Sequence, residues 1–349
     1  MCAFPPVELI SAAGLIPFRI TGSPAPVTAA DADLERLMCP FIRSCFDLAL
    51  QHHFDFLHGI IWPHSCDNVQ KTYDIWKHYA APPFFHYLDV PHMTGPSSFE
   101  FFAGELQNLK TALEHFTGAE ITSAKLKHAL ASHNQTRALL RELSGLRRPD
   151  PPRLRGSEML TLMLAATALP VQEANELLQA ALAEARARGQ VTRPGAARLL
   201  LYGSEVDHVG LLQLLEDAGA SVVIEDLCLG SKLFLHDVPD DGDPLEALAR
   251  YYLDRITCPR TFRSAPDHGR SLEPRFGHLR GMVRDYGVQA AVIYVLMFCD
   301  TFEFDAPDVK EYLEGVGVPS LHLEDDYRLS GAAGFRTRIE AFLEMISRR

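Results

Sequence analysis

The sequence predicts an α/β fold in which two similar α/β lobes with parallel sheets flank a largely helical middle segment and leave a cleft between them. Three observations predict it. At both ends of the chain, short apolar β-rich runs alternate with amphipathic helical stretches, the pattern of βα units around a parallel sheet. Between the two ends, strong helix formers dominate with few breakers. At 349 residues the chain is also too long for one core of ordinary size.

Taken in order, a short helix carrying Glu8 and Ser11 leads into Ala13-Gly14, and strands are predicted over 14–20, 54–62 and 84–90. Residues 98–145 then read as helix, with runs such as Phe99-Glu100-Phe101-Phe102 and Leu139-Leu140-Arg141-Glu142-Leu143. Pro149-Asp150-Pro151-Pro152 is the strongest break, because consecutive prolines fix φ and remove the donors a helix or central strand needs. Helical character resumes over 157–168 and 171–188, the latter with apolar residues at Ala174, Leu177, Leu178, Ala181 and Leu182. Strands are predicted again over 198–202, 221–224, 289–298 and 320–323. The expected division is an N-terminal α/β lobe over 1–97, a helical segment over 98–192 holding the proline-rich break at 149–152, and a C-terminal α/β lobe over 193–349.

Composition narrows the function. With 47% apolar and 22% charged residues the chain has a core to bury and is neither disordered nor fibrous. Its 33 Lys and Arg against 45 Asp and Glu give a net charge of −12, which disfavours a broad nucleic-acid or anionic-membrane surface. No apolar run is long enough to span a bilayer, and the first residues lack a basic start with a cleavage site, so a cytoplasmic protein is expected. Seven widely spaced cysteines, at 2, 39, 45, 66, 228, 258 and 299, argue against a disulfide framework.

The two ends share what reads as a degenerate repeat. Ala13-Gly14 pairs with Ala218-Gly219, Cys39-Pro40 with Cys258-Pro259, and Ser65-Cys66-Asp67 with Phe298-Cys299-Asp300; Leu88-Asp89-Val90-Pro91 then matches the Leu321-His322-Leu323-Glu324-Asp325 strand end. Cys66 and Cys299 thus fall at strand carboxyl ends, where ligands of open α/β sheets sit. Thiolates gathered from distant stretches suit zinc or an iron-sulfur cluster. The short zinc motifs Cys-x-x-Cys and His-Glu-x-x-His are absent, so on arrangement alone buried structural thiols are the favoured reading over a metal cluster.

Several motifs together carry a resemblance. Pro6-Val7-Glu8-Leu9-Ile10, Ala12-Ala13-Gly14-Leu15-Ile16-Pro17, Cys39-Pro40, Ser65-Cys66-Asp67, the 83–91 stretch ending Leu88-Asp89-Val90-Pro91, Phe298-Cys299-Asp300 and Thr337-Arg338-Ile339-Glu340-Ala341-Phe342 resemble the 2-hydroxyacyl-CoA dehydratase and benzoyl-CoA reductase family over nearly the whole chain. The resemblance implies a [4Fe-4S] cluster held in the cleft by Cys39, Cys66 and Cys299, with Cys258 as reserve ligand and Cys2, Cys45 and Cys228 structural. It implies a dehydratase of 2-hydroxyacyl-CoA thioesters, in which one low-potential electron makes a ketyl radical that expels the hydroxyl group. The alternatives are an aryl-CoA reductase, a reductase with a double-cubane [8Fe-9S] cluster, or a non-catalytic electron-transfer subunit. The implied partners are a homologous sister subunit, in a hetero- or homodimer, a dimeric iron-sulfur ATPase activator and an acyl-CoA substrate; the chain itself has no Gly-x-x-x-x-Gly-Lys-Ser/Thr loop.

Ser11 and Glu8 are the expected catalytic pair, with the Ser11 hydroxyl reaching the thioester end or the leaving group. Asp67 and Asp300 read as helix-capping residues, and His86 and His92 as incidental members of a set of 15 histidines. Arg336 and Arg338 read as ion-pair partners, and Glu324-Asp325-Asp326 as an acidic strand end. Two departures from the family stand out. The chain begins on its Cys-x-x-x-Pro motif, at Cys2, where relatives carry several tens of residues ahead of it, and Ala333-Gly334-Phe335 replaces a usual Gly-Gln before the Arg-Thr-Arg stretch.

Overall fold

The computed structural model describes residues 2 and 4–348. Helix α1 (Val7–Ala12) ends at Gly14, whose φ of +77° makes a left-handed cap: the Leu15 N–H reaches back to the Ile10 carbonyl and the Gly14 N–H to that of Ser11. The segment predicted as a strand over 14–20 is irregular. Gly14 and Pro17 interrupt any ladder, and the Arg19 N–H is given to Thr167 O at 3.0 Å instead of to a neighbouring strand.

Helix α2 (Pro40–Leu50) begins at a proline in its first turn, where the missing N–H costs nothing. Strand β1 (Gly59–Pro63), helix α3 (Asp67–Ala80) and strand β2 (Phe84–Leu88) form one βαβ unit, its two strands paired in parallel from Gly59↔Phe84 to Pro63↔Leu88. The predicted strand starts late, at Gly59, because 51–56 is a run of turns.

The middle is helical as expected: α4 (Pro96–Thr117), α5 (Ser123–Gly145), α6 (Gly156–Ala166) and α7 (Val171–Ala187). The proline-rich break falls in the connection between α5 and α6. Gly118, at φ +68°, closes α4, and the Thr122 hydroxyl caps α5 at the Lys125 N–H.

The C-terminal part holds β3 (Ala197–Gly203), α8 (Gly210–Asp217), β4 (Ala220–Asp226), α9 (Pro244–Arg250), α10 (His268–Asp285), β5 (Ala290–Leu296), α11 (Asp300–Glu303), α12 (Ala306–Gly315), β6 (Ser320–Asp325) and α13 (Ala332–Ser347). A π turn over Tyr251–Arg255 extends α9. The four strands form one parallel sheet in the order β4-β3-β5-β6. All residues of β4 and β5 are buried, as expected where helices cover both faces of a parallel sheet.

The pleat sorts β3 between two cores. Leu199 and Leu201 face a cluster that runs through Phe46, Trp62, Trp76, Leu143 and Met159. Leu200 and Tyr202 face Phe276, Leu279 and Leu313 on the other side. A third core gathers Leu9, Leu88, Phe102, Leu130 and Leu253 around α1, α4 and α5. The first of these cores is closed at its edge by Cys39, with Cys66 and Cys299 half-buried against it. No helix among the described residues is long and apolar enough to cross a membrane.

Candidate functional site

Each of the three cysteines singled out above sits immediately before a helix. Cys39 precedes α2, Cys66 precedes α3 and Cys299 precedes α11. The sequence forces this locally: Pro40 starts one helix, and the other two cysteines fall three residues beyond β1 and β5, where a parallel strand must turn over into its covering helix. Asp67 and Asp300 occupy first turns without making a side-chain cap bond, and Asp67 lies 3.5 Å from Lys71.

One side chain ties the three stretches together. Asn68, two residues after Cys66, accepts the Cys39 N–H at 3.1 Å and donates to the Phe298 carbonyl at 3.1 Å, next to Cys299. Phe298 has φ +60°, an uncommon backbone for a bulky residue, and this turns the chain so that Cys299 approaches Cys39.

The thiols meet. That of Cys299 hydrogen-bonds Cys39, and this contact, against burial but with the N–H groups of Ile42 and Phe41, holds Cys39 below the ordinary thiol range. The same contact and then burial push Cys299 well above it. Burial pushes Cys66 up to about 12, opposed by the N–H groups of Val69 and Asn68, and it too registers charge on Cys39. Among the described residues no three Cys, His, Asp or Glu side chains close on one point as a single metal ion requires.

Cys258 lies elsewhere. It leads into a turn rather than a helix, burial raises its thiol to about 11, and the thiols it interacts with are Cys2 and Cys228. Arg260 anchors its loop on the carboxyl ends of β1 and β2, donating to His64 O at 3.1 Å, Val90 O at 2.7 Å and Pro91 O at 3.0 Å. Cys45 is wholly buried on α2.

Ser11 and Glu8 share α1 but have different surroundings. The Ser11 Oγ lies 2.9 Å from His133 Nε2 on α5, and burial pushes that imidazole down to about 4, so it is neutral at pH 7. Glu8 is fully buried with both oxygens engaged: Arg137 holds one, and the Tyr252 hydroxyl donates to the other at 2.8 Å. Burial raises its pKa, but Arg137 and His133 outweigh that and leave it below the usual carboxylate range. Beside this network lies a cavity of about 670 Å³ lined by the irregular 14–20 segment, by β1, and by His133, Arg137, Tyr251 and Tyr252. It also reaches Arg19, whose Nη2 donates to both carboxylate oxygens of buried Glu205, at 3.0 and 2.9 Å, beyond the carboxyl end of β3.

Asn68, His133, Arg137 and Glu205 escape sequence reasoning. Their partners lie tens to hundreds of positions away, and only the position of Asn68, directly after the Cys66-Asp67 turn, offers a local signal.

Residues 2–346 match the family described as 2-hydroxyglutaryl-CoA dehydratase, D-component. The chain is 27% identical to a benzoyl-CoA reductase subunit of Thauera aromatica, across 92% of this chain and 83% of that protein. It is 24% identical to lactoyl-CoA dehydratase subunit beta of Anaerotignum propionicum, across 99% and 90% respectively. It is also 24% identical to (R)-2-hydroxyglutaryl-CoA dehydratase subunit beta of Acidaminococcus fermentans, across 98% and 90%.

Proposed function

The chain belongs to the 2-hydroxyglutaryl-CoA dehydratase D-component family, and from that premise we propose that it is a [4Fe-4S]-binding subunit of a 2-hydroxyacyl-CoA dehydratase, a lyase that removes water from a 2-hydroxyacyl-CoA. It works in the cytoplasm with a homologous sister subunit, and its electron comes from an ATP-driven activator. Cys39, Cys66 and Cys299 hold the cluster, and Cys258 takes no part unless one of these is lost.

The observation that carries this reading is the convergence of three thiol stretches through Asn68. The donor set fits. Thiolates are the soft ligands an iron-sulfur cluster takes, and a cluster of several irons bridges thiols that do not close on one point. N–H groups from the starts of α2 and α3 point at the sulfurs of Cys39 and Cys66, and such donors favour the thiolate form. When bound, the cluster supplies a low-potential electron and an iron without a protein ligand.

The protein's own groups do the rest. The Ser11 hydroxyl, positioned by neutral His133, donates a hydrogen bond to the thioester or leaving oxygen. Glu8, with both oxygens occupied, fixes Arg137 and Tyr252 and so positions α1. The apolar cavity keeps water from the reacting acyl group. A reductive reading, on an aryl-CoA, has the 27% identity to the Thauera aromatica benzoyl-CoA reductase subunit in its favour.

Anaerobic purification with iron and sulfide analysis tests the cluster. Turnover of 2-hydroxyacyl-CoA and of benzoyl-CoA, with activator, sister subunit and ATP, tests the reaction. We expect about four irons per chain and dehydration without ring reduction. Metal-free protein that stays folded and competent for turnover would overturn the proposal, and ring reduction would replace it by the second reading.

A further inference from the structure

We infer that the 670 Å³ cavity is an acyl pocket selective for an apolar acyl group, aliphatic or aromatic, without a second carboxylate. The inference deepens the acyl-CoA reading above and rests on it.

The walls are apolar, with Ile10, Leu15, Phe18, Phe84, Phe116 and Leu140 among them, and no Asp or Glu of the described residues lines the space. Its volume lies in the range of small-molecule pockets and far exceeds what a two- or three-carbon acyl group fills. A dicarboxylic acyl group would need a cation to receive its distal carboxylate, since an unpaired charge is strongly disfavoured in an apolar cavity.

Three Lys or Arg side chains of the described residues line the space, and each already has a carboxylate partner. Arg19 is paired with Glu205 through Nη2, Arg137 is held by Glu8, and Lys232 by Asp226. The carboxylates are themselves buried, at 5%, 0% and 0% exposure, so none can swing into water to release its cation. Of the two lining histidines, burial keeps His133 neutral, and His58 stands exposed at the rim, where a charge pair is screened. The polar atoms that remain, such as the Tyr252 and Thr136 hydroxyls, engage Glu8 and Asn175. The cavity therefore recognises by shape and apolar area.

Isothermal titration of the full-length, cluster-reconstituted chain with acetyl-, hexanoyl-, 3-phenylpropanoyl- and glutaryl-CoA tests this without turnover. Each buried methylene is expected to tighten binding by about fourfold, so hexanoyl- and phenylpropanoyl-CoA should bind more than about tenfold tighter than acetyl-CoA, with a negative heat-capacity change. Glutaryl-CoA should bind no tighter than acetyl-CoA. Ala166→Trp, which fills the cavity from the end of α6, should erase the chain-length preference. Ile16→Trp at the exposed rim should reduce it too, and remains informative should the first variant fail to fold. Tightest binding by glutaryl-CoA, or equal affinity for all four, would overturn the inference and leave the acyl-CoA reading standing. Binding of no acyl-CoA by protein that carries iron would overturn both.

Discussion

Two βαβ units of this molecule place a cysteine at the same point by different means. In one, β1 ends at Pro63 and Cys66 opens α3; in the other, β5 ends at Leu296 and Cys299 opens α11. Each unit continues its ladder one residue past the strand: the His64 N–H bonds Leu88 O at 2.9 Å, and the Met297 N–H bonds Asp325 O at 2.9 Å. The surroundings differ. The first unit is a two-stranded sheet stabilised by aromatic packing, with Trp62 against Trp76 and Phe85 and its indole N–H bonded to Val69 O at 2.8 Å. The second lies inside a four-stranded sheet whose β5 is buried along its whole length. The turn differs as well: Phe298 takes a left-handed backbone, and its counterpart Ser65 does not. What the units share is the offset of cysteine from strand end, which points to the thiol position as the feature the two turns have in common.

The sharpest way to break the equivalence is to remove one thiol from each unit. Cys66→Ala and Cys299→Ala should each abolish iron retention after anaerobic desalting, as should Cys39→Ala, whereas Cys258→Ala should retain it. Retention of full iron by either of the first two would show that the units are not equivalent as ligand donors.

Next in size, Trp62→Ala should destabilise the protein by about 3–5 kcal/mol in urea unfolding, because a two-stranded sheet has few other contacts to absorb the cavity. Val292→Ala in β5 removes far fewer atoms and should cost about 2 kcal/mol or less. A Trp62→Ala loss below about 1 kcal/mol would mean that the aromatic packing of the first unit matters little.

Asn68→Ala removes the link between the units. It leaves a backbone N–H and a carbonyl without their partner, at a cost of about 1–3 kcal/mol. Its diagnostic effect is faster iron loss to a chelator at unchanged secondary structure. An unaltered chelation rate would remove Asn68 from the account of how the thiols converge.

The smallest effect is expected at the strained turn. Phe298→Gly relieves a left-handed backbone and should leave stability unchanged or raise it by about 1 kcal/mol, while loosening the direction in which Cys299 points. A loss above about 2 kcal/mol would show that the ring's packing, not the backbone, governs the turn.

Much of this architecture is written locally in the sequence. β3, β4 and β5 are read from continuous apolar runs because burial on both faces demands them. The cysteine turns are legible because a strand end, a cysteine and a helix start follow one another within a few residues. The 14–20 segment misleads: its composition suits a strand, yet no strand lies beside it, and its backbone is committed to closing α1 and to Thr167. The Ala13-Gly14 and Ala218-Gly219 correspondence has a modest physical basis, since both glycines end a helix at positive φ before chains that then diverge. The pairs Ser11–His133, Arg19–Glu205 and Asn68–Phe298 are 122, 186 and 230 residues apart, and nothing local marks them.

Anomalous diffraction at the iron absorption edge, from crystals grown without oxygen, would locate the metal outright. One compact iron peak is expected in contact with the sulfurs of Cys39, Cys66 and Cys299, and none beside Cys258. Iron bound instead among Cys2, Cys228 and Cys258, with none beside Cys39, Cys66 and Cys299, would contradict it.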